Sequence, residues 1–116
     1  PAPLRVVACV GKFRTGKSTL LNAALGLPAG RGFGVGHTVQ ACTRGIWLCT
    51  RPLRDAAGAD VYVLDTEGID ALDATNDHDV RILALAVLLS SAVIFNCLSH
   101  LDEAAVQTLA LMTRVA

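Results

Sequence analysis

Eight consecutive residues, Gly11-Lys12-Phe13-Arg14-Thr15-Gly16-Lys17-Ser18, set two glycines, a lysine and a hydroxyl in the order G-x-x-x-x-G-K-[ST]. That spacing suits a phosphate chain. Glycines at the two ends let the backbone curl so that successive N–H groups point at phosphate oxygens. A helix starting behind the loop adds the partial positive charge of its N-terminus. Lys17 then reaches β- and γ-phosphates, and Ser18 offers its hydroxyl to Mg2+. The candidate phosphate-binding residues are Gly11, Phe13, Arg14, Thr15, Gly16, Lys17, Ser18 and Thr19.

A second cluster, Asp65-Thr66-Glu67-Gly68, closes an apolar run. An aspartate at the carboxyl end of a strand sits where open α/β sheets bind ligands. It can hold Mg2+ through water, and the Gly68 N–H can sense a γ-phosphate. Asp65 and Glu67 are too close in sequence to serve as the acid–base pair of a glycosidase. A Mg2+ shell also needs a further hydroxyl once a triphosphate is bound. Thr38 and Thr43, ahead of Gly45, are the candidates, and the residues alone do not choose between them.

The elements that must position these groups emerge from apolar patterning. Leu4 to Val10 is a nearly continuous apolar run, as in a strand buried on both faces. Lys17 to Leu25 reads as a helix, with Gly26 and Pro28 as its stop signal. Glycines at 30, 32, 34 and 36 mark residues 29–44 as a mobile loop outside the core. Gly45 to Thr50 reads as a short strand carrying a core Trp47, residues 51–60 as a polar connection, and Val61 to Leu64 as a buried strand. An acidic stretch with Asp70, Asp73, Asp77 and Asp79 reads as a solvated loop. It lacks the glycine and the final carboxylate of a calcium loop. Next come a helix over 79–89 and a buried strand over 92–98. Ser99-x-x-Asp102 resembles a capping box, with Leu101, Ala105, Leu109, Met112 and Ala116 as the stripe of a last helix. The order β-α-β-β-α-β-α implies an α/β three-layer sandwich on a mostly parallel sheet.

Composition narrows the classes. With 116 residues, 53% apolar and 17% charged, the chain suits one small globular unit. Ten basic residues balance ten acidic ones, so nothing argues for nucleic acid as a partner. Cysteines at 9, 42, 49 and 97 form no CxxC pair, which argues against a zinc finger. Cys9 and Cys97 lie in apolar runs, where cysteine acts as a small hydrophobe. Arg44, Arg51 and Arg54 read as a solvated basic face. Ile82 to Leu101 is uncharged over a length that suits a membrane span. Ser90-Ser91 and Asn96-Cys97 break it into a helical half and a strand-like half. No secretory signal or lipidation motif is expected, and a reducing cytoplasmic setting is.

GKFRTGKSTLLNAALG, CTRGIW, VLDTEG and ILALAVLLSSAVIFN, in this order, resemble the guanylate-binding-protein and atlastin family, large GTPases of the dynamin superfamily. The likeness runs from Val6 to about Thr113 and is closer to guanylate-binding proteins. It implies GTP as substrate, Mg2+ as cofactor and a nucleotide-dependent homodimer through the nucleotide face. It implies that Thr43 is the switch I threonine on Mg2+ and the γ-phosphate. It makes Arg14 an arginine finger supplied in cis, and Glu67 an indirect organiser of the attacking water. Ser18, Thr43 and Asp65 become the metal set. Two departures stand out. Ala41 occupies a position where some of the family carry a serine, and the family's base-reading Arg-Asp does not occur after residue 98. The chain therefore reads as the first part of a P-loop GTPase domain, about four strands, with no membrane anchor of its own. A non-hydrolysing binding or dimerising module, or a fragment without independent folded life, is the alternative.

Overall fold

The computed structural model describes residues 4–11, 16–27, 32–33, 45–67, 77–98 and 100–115. Its elements are β1 (Arg5–Gly11), α1 (Lys17–Ala24), β2 (Ile46–Arg54), β3 (Asp60–Thr66), α2 (Asp77–Leu89), β4 (Ala92–Asn96) and α3 (Glu103–Val115). The four strands form one sheet in the order β2-β3-β1-β4. β1 pairs in parallel with both β3 and β4, whereas β2 runs antiparallel to β3.

Alternation along β1 builds the three layers. Val6, Ala8 and Val10 face one side, where they pack with Leu64, Leu83, Ala86 and Met112 beneath α2 and α3. Cys9 faces the other side and packs with Val63, with Leu21 of α1 and with Phe33. Burial on both faces accounts for the unbroken apolar run of this central strand. The expected α/β sandwich on a mostly parallel sheet is the fold observed.

The chain passes from β1 to β3 on one side, then crosses to β4 on the other. The carboxyl end of β1 therefore lies at the switch point of the sheet, the usual ligand crevice of open α/β folds. α1 ends in a Schellman turn: the Gly26 N–H bonds Ala23 O at 3.1 Å and the Leu27 N–H bonds Asn22 O at 3.0 Å. Gly26 sits at φ +62°, a conformation glycine adopts at low cost.

Several expectations shift. Residues 51–54 are strand, not connection: Leu53 and Arg54 pair with Val61 and Asp60, and the register slips between Cys49 and Leu53. Pro52 lies in that slip, where a residue without an N–H costs the ladder least. The turn that remains is organised by Asp55, whose Oδ1 accepts the Ala57 and Ala59 N–H groups at 2.9 Å. Its Oδ2 pairs with Arg5. Trp47 is 53% exposed rather than core, because β2 is an outer strand. Ile94 is likewise 44% exposed, since β4 is the other outer strand among the described residues. Cys97 is exposed as well.

The helices also start elsewhere. α2 begins at Asp77, and Asp79 is buried in its first turn rather than solvated. Asp70 and Asp73 lie outside the described residues. The N-cap of α3 is Asp102, whose Oδ1 accepts the Ala105 N–H at 2.8 Å. Ser99 and Ala116 lie outside the described residues, and Leu101 is exposed ahead of the helix. Ala105, Thr108 and Met112 form the buried stripe. Among the described residues no helix is long and apolar enough to cross a membrane.

Candidate functional site

β1 delivers the chain to the crevice and α1 receives it. Gly11 is the last residue of β1 and pairs with Asn96 of β4. A Cβ on Gly11 would collide with the Asn96 carbonyl oxygen. This glycine is thus required by the close approach of two strands, in addition to any part it takes in the loop. Gly16, just before α1, sits at φ +79° and ψ +23°, in the left-handed region. Its carbonyl accepts the first helical bond, from the Leu20 N–H at 2.8 Å. Phe13, Arg14 and Thr15 lie outside the described residues.

Three candidate residues converge where α1 begins. Lys17 is only 6% exposed, and Asp65, at the carboxyl end of β3, is fully buried. The Ser18 hydroxyl donates to Asp65 Oδ2. Asp65 stands opposite Cys9 in the parallel register, and the Thr66 hydroxyl donates to Cys9 O at 3.0 Å. The end of β3 is therefore tied to β1 by the ladder and by a side chain. Burial pushes the Lys17 ammonium below its usual pKa, while the Asp65 charge and, less, Cys9 act the other way. Burial raises the Cys9 thiol to about 11; Asp65 adds to the rise and Lys17 opposes it. Cys9 is thus a neutral packing group at physiological pH. Thr19 comes directly after Ser18 in the first turn of α1.

The donor set here is chemically specific. A serine hydroxyl and an aspartate carboxylate are hard oxygen ligands, lying against one another beside a buried ammonium. Mg2+ takes ligands of this kind, one or two from protein and the rest from phosphate and water. Lys17 adds the positive charge that a phosphate group requires.

Glu67, just beyond β3, makes a second junction. Its N–H donates to Gly45 O at 2.8 Å, and its Oε2 accepts the Gly45 N–H at 2.6 Å. Its Oε1 pairs with Nε2 of His78, the second residue of α2. Sequence reasoning singled out Glu67 but missed His78, which no spacing rule connects to it. It also missed Asn22. The side chain of Asn22 clasps the backbone of Phe33, accepting its N–H at 2.7 Å and donating to its carbonyl at 2.9 Å. Phe33 is 8% exposed and belongs to the core on the α1 face, against the expectation of a loop free of the core. Thr38, Ala41, Thr43 and Gly68 lie outside the described residues.

A glycine-ended central strand, a left-handed glycine at a helix start, and Lys17, Ser18 and Asp65 at the carboxyl edge of an open sheet define the class. It is an α/β sandwich of the P-loop nucleoside-triphosphatase type, present in part. Comparison with known proteins then places it more narrowly. The family described as guanylate-binding protein, N-terminal domain, matches residues 2–116, and the chain belongs to that family. It is 43% identical to human guanylate-binding protein 5 over 108 residues, which is 92% of this chain and 18% of that protein. It is 42% identical to mouse guanylate-binding protein 1 and 41% identical to human guanylate-binding protein 1, each over 114 residues. Those two matches cover 97% of this chain and 19% of the relative. The chain therefore spans about a fifth of the length of these relatives.

Proposed function

We propose that residues 1–116 are the first part of a GTPase domain, and that the protein containing them binds GTP and hydrolyses it with Mg2+. One observation carries this reading: Ser18 of α1 and Asp65 of β3 meet beside the buried Lys17. Membership of the guanylate-binding protein family supports the guanine nucleotide as ligand. When bound, Mg2+ would supply charge neutralisation at the phosphates.

This chain's own residues do the positioning. The Ser18 hydroxyl and the Asp65 carboxylate would hold the cation, Asp65 through water, together with Thr43. Lys17 offsets phosphate charge from a site already shielded from solvent. Gly11, Phe13, Arg14, Thr15, Gly16 and Thr19 line the phosphate chain. The Gly68 N–H meets the γ-phosphate, and Arg14 neutralises charge that develops in the transition state, a part worth about 10³–10⁵ in rate for arginine fingers. Glu67 acts indirectly, since both of its oxygens are already engaged by protein groups. Pairing of two copies through the nucleotide face belongs to the same reading.

The test is turnover of GTP by the full-length protein and its Lys17→Ala and Arg14→Ala forms. Loss of nucleotide binding in K17A, and loss of turnover with binding retained in R14A, are the expected results. Undiminished turnover in K17A would sink the reading. Ala41, where some of the family carry serine, favours one alternative, a binding module that turns over slowly. Tight GTP binding by the wild type with little or no hydrolysis would select it.

A further inference from the structure

We infer that His78 is a positioning residue for the reaction proposed above, on which this inference rests: it holds Glu67 so that Glu67 in turn sets the backbone at Gly45. A carboxylate only accepts hydrogen bonds. The His78 imidazole must therefore present Nε2–H to Glu67 Oε1, as the neutral Nε2 tautomer or the imidazolium. The other oxygen takes the Gly45 N–H at 2.6 Å, and the Glu67 N–H returns a bond of 2.8 Å to Gly45 O. Three hydrogen bonds thus join three separate segments at one residue: the residue ahead of β2, the end of β3 and the first turn of α2.

The alternative is an ordinary surface pair of small worth. His78 is 65% exposed, which favours that view, but Glu67 is only 15% exposed. A carboxylate so enclosed depends on its donors. Without His78 its natural course is to turn toward water and release the Gly45 N–H. His78 itself stands on a rigid base, because Ile82, Leu83 and Ala86 bury the later turns of α2 in the core. In sequence, Thr43 lies two residues before Gly45, and Gly68 comes directly after Glu67. The residues proposed to meet the γ-phosphate therefore flank, in sequence, the two residues that His78 locks together.

The experiment uses the full-length protein as wild type, His78→Ala and His78→Gln. Glutamine keeps an N–H donor of similar reach. Steady-state GTP hydrolysis is measured beside amide hydrogen exchange at Gly45 in the nucleotide-free protein. The expected result is a kcat about tenfold lower in H78A, the scale of one lost hydrogen bond to a charged group. GTP affinity should stay within about twofold, because the phosphate cradle is untouched. Gly45 exchange should accelerate in H78A, and H78Q should restore both readouts. Unchanged Gly45 exchange in H78A overturns the inference. So does accelerated exchange with undiminished kcat, and so does an H78Q form as slow as H78A. A wild type that turns over no GTP defeats the GTPase reading and the positioning role of His78 in turnover together. The Gly45 exchange rates would then still decide whether the tie exists.

Discussion

Ser18, in the first turn of α1, donates its hydroxyl to Asp65 Oδ2 at the carboxyl end of β3, although the two lie 47 positions apart in the chain. The contact exists because β1 and β3 are parallel neighbours, with Cys9 opposite Asp65. One strand delivers the helix start that carries the hydroxyl, and the other delivers the carboxylate. Replacing Asp65 by Asn keeps the shape and removes the charge. The expected result in the full-length protein is a fall of about 10–100-fold in Mg2+-supported nucleotide affinity, the range for residues that hold a metal's outer shell. Titration calorimetry with and without Mg2+ measures it, and equal losses in both conditions would contradict the role.

Cys9 makes stability sensitive to alkali. Its thiol is buried and raised from 9.0 to about 11. The folded state then keeps a proton that the unfolded state releases, so this contribution is intact below pH 9 and is lost as pH rises through 11. The loss amounts to about 2–3 kcal/mol. Urea unfolding at pH 8 and pH 10.5, wild type against Cys9→Ala, isolates it. The wild type should weaken more between the two pH values than C9A does.

Asn22 closes two hydrogen bonds on the backbone of Phe33 and so holds an aromatic ring in the core of the α1 face. Asn22→Ala should cost about 1–3 kcal/mol, because a half-buried N–H and carbonyl lose their partners. Asn22→Asp should fall between, since the carboxylate accepts from the Phe33 N–H but has no proton for the carbonyl. Denaturant midpoints rank the three proteins, and an Asn22→Ala form as stable as wild type would remove the clasp from the account.

Gly11→Ala separates a structural demand from a ligand-binding one. The added methyl meets the Asn96 carbonyl, a backbone atom that yields only if β4 moves. Destabilisation of about 1–3 kcal/mol is expected even without nucleotide. Thermal unfolding of the nucleotide-free protein shows it. A loss seen only with nucleotide present would locate the need for glycine in phosphate binding alone.

The chemistry-bearing spacing is legible where it is local. Gly11 to Ser18 and Asp65 to Gly68 are short strings, and the part proposed for them depends on one strand end or one helix start. The continuous apolar run of β1 likewise announces a central strand. The features that escape are non-local. Trp47 and Ile94 have the composition of core strand residues, and only the strand order shows that they lie on outer strands. Phe33 sits among glycines, which hide the fact that a side chain of α1 draws it inward. His78 meets Glu67 across 11 positions, a distance with no periodicity to betray it. The start of α3 is ambiguous in sequence because Ser99 and Asp102 are both good caps, and the Ala105 N–H chooses the second.

The pairing of β1 with β3 also works as a gauge. The two strands that frame the candidate site are direct neighbours, so its breadth at the sheet is one interstrand spacing, about 4.8 Å. The Thr66 hydroxyl on Cys9 O locks that breadth close to the carboxyl ends. Any occupant of the crevice meets a jaw of preset aperture. Discrimination between occupants must come from groups outside this pair of strands rather than from the sheet itself.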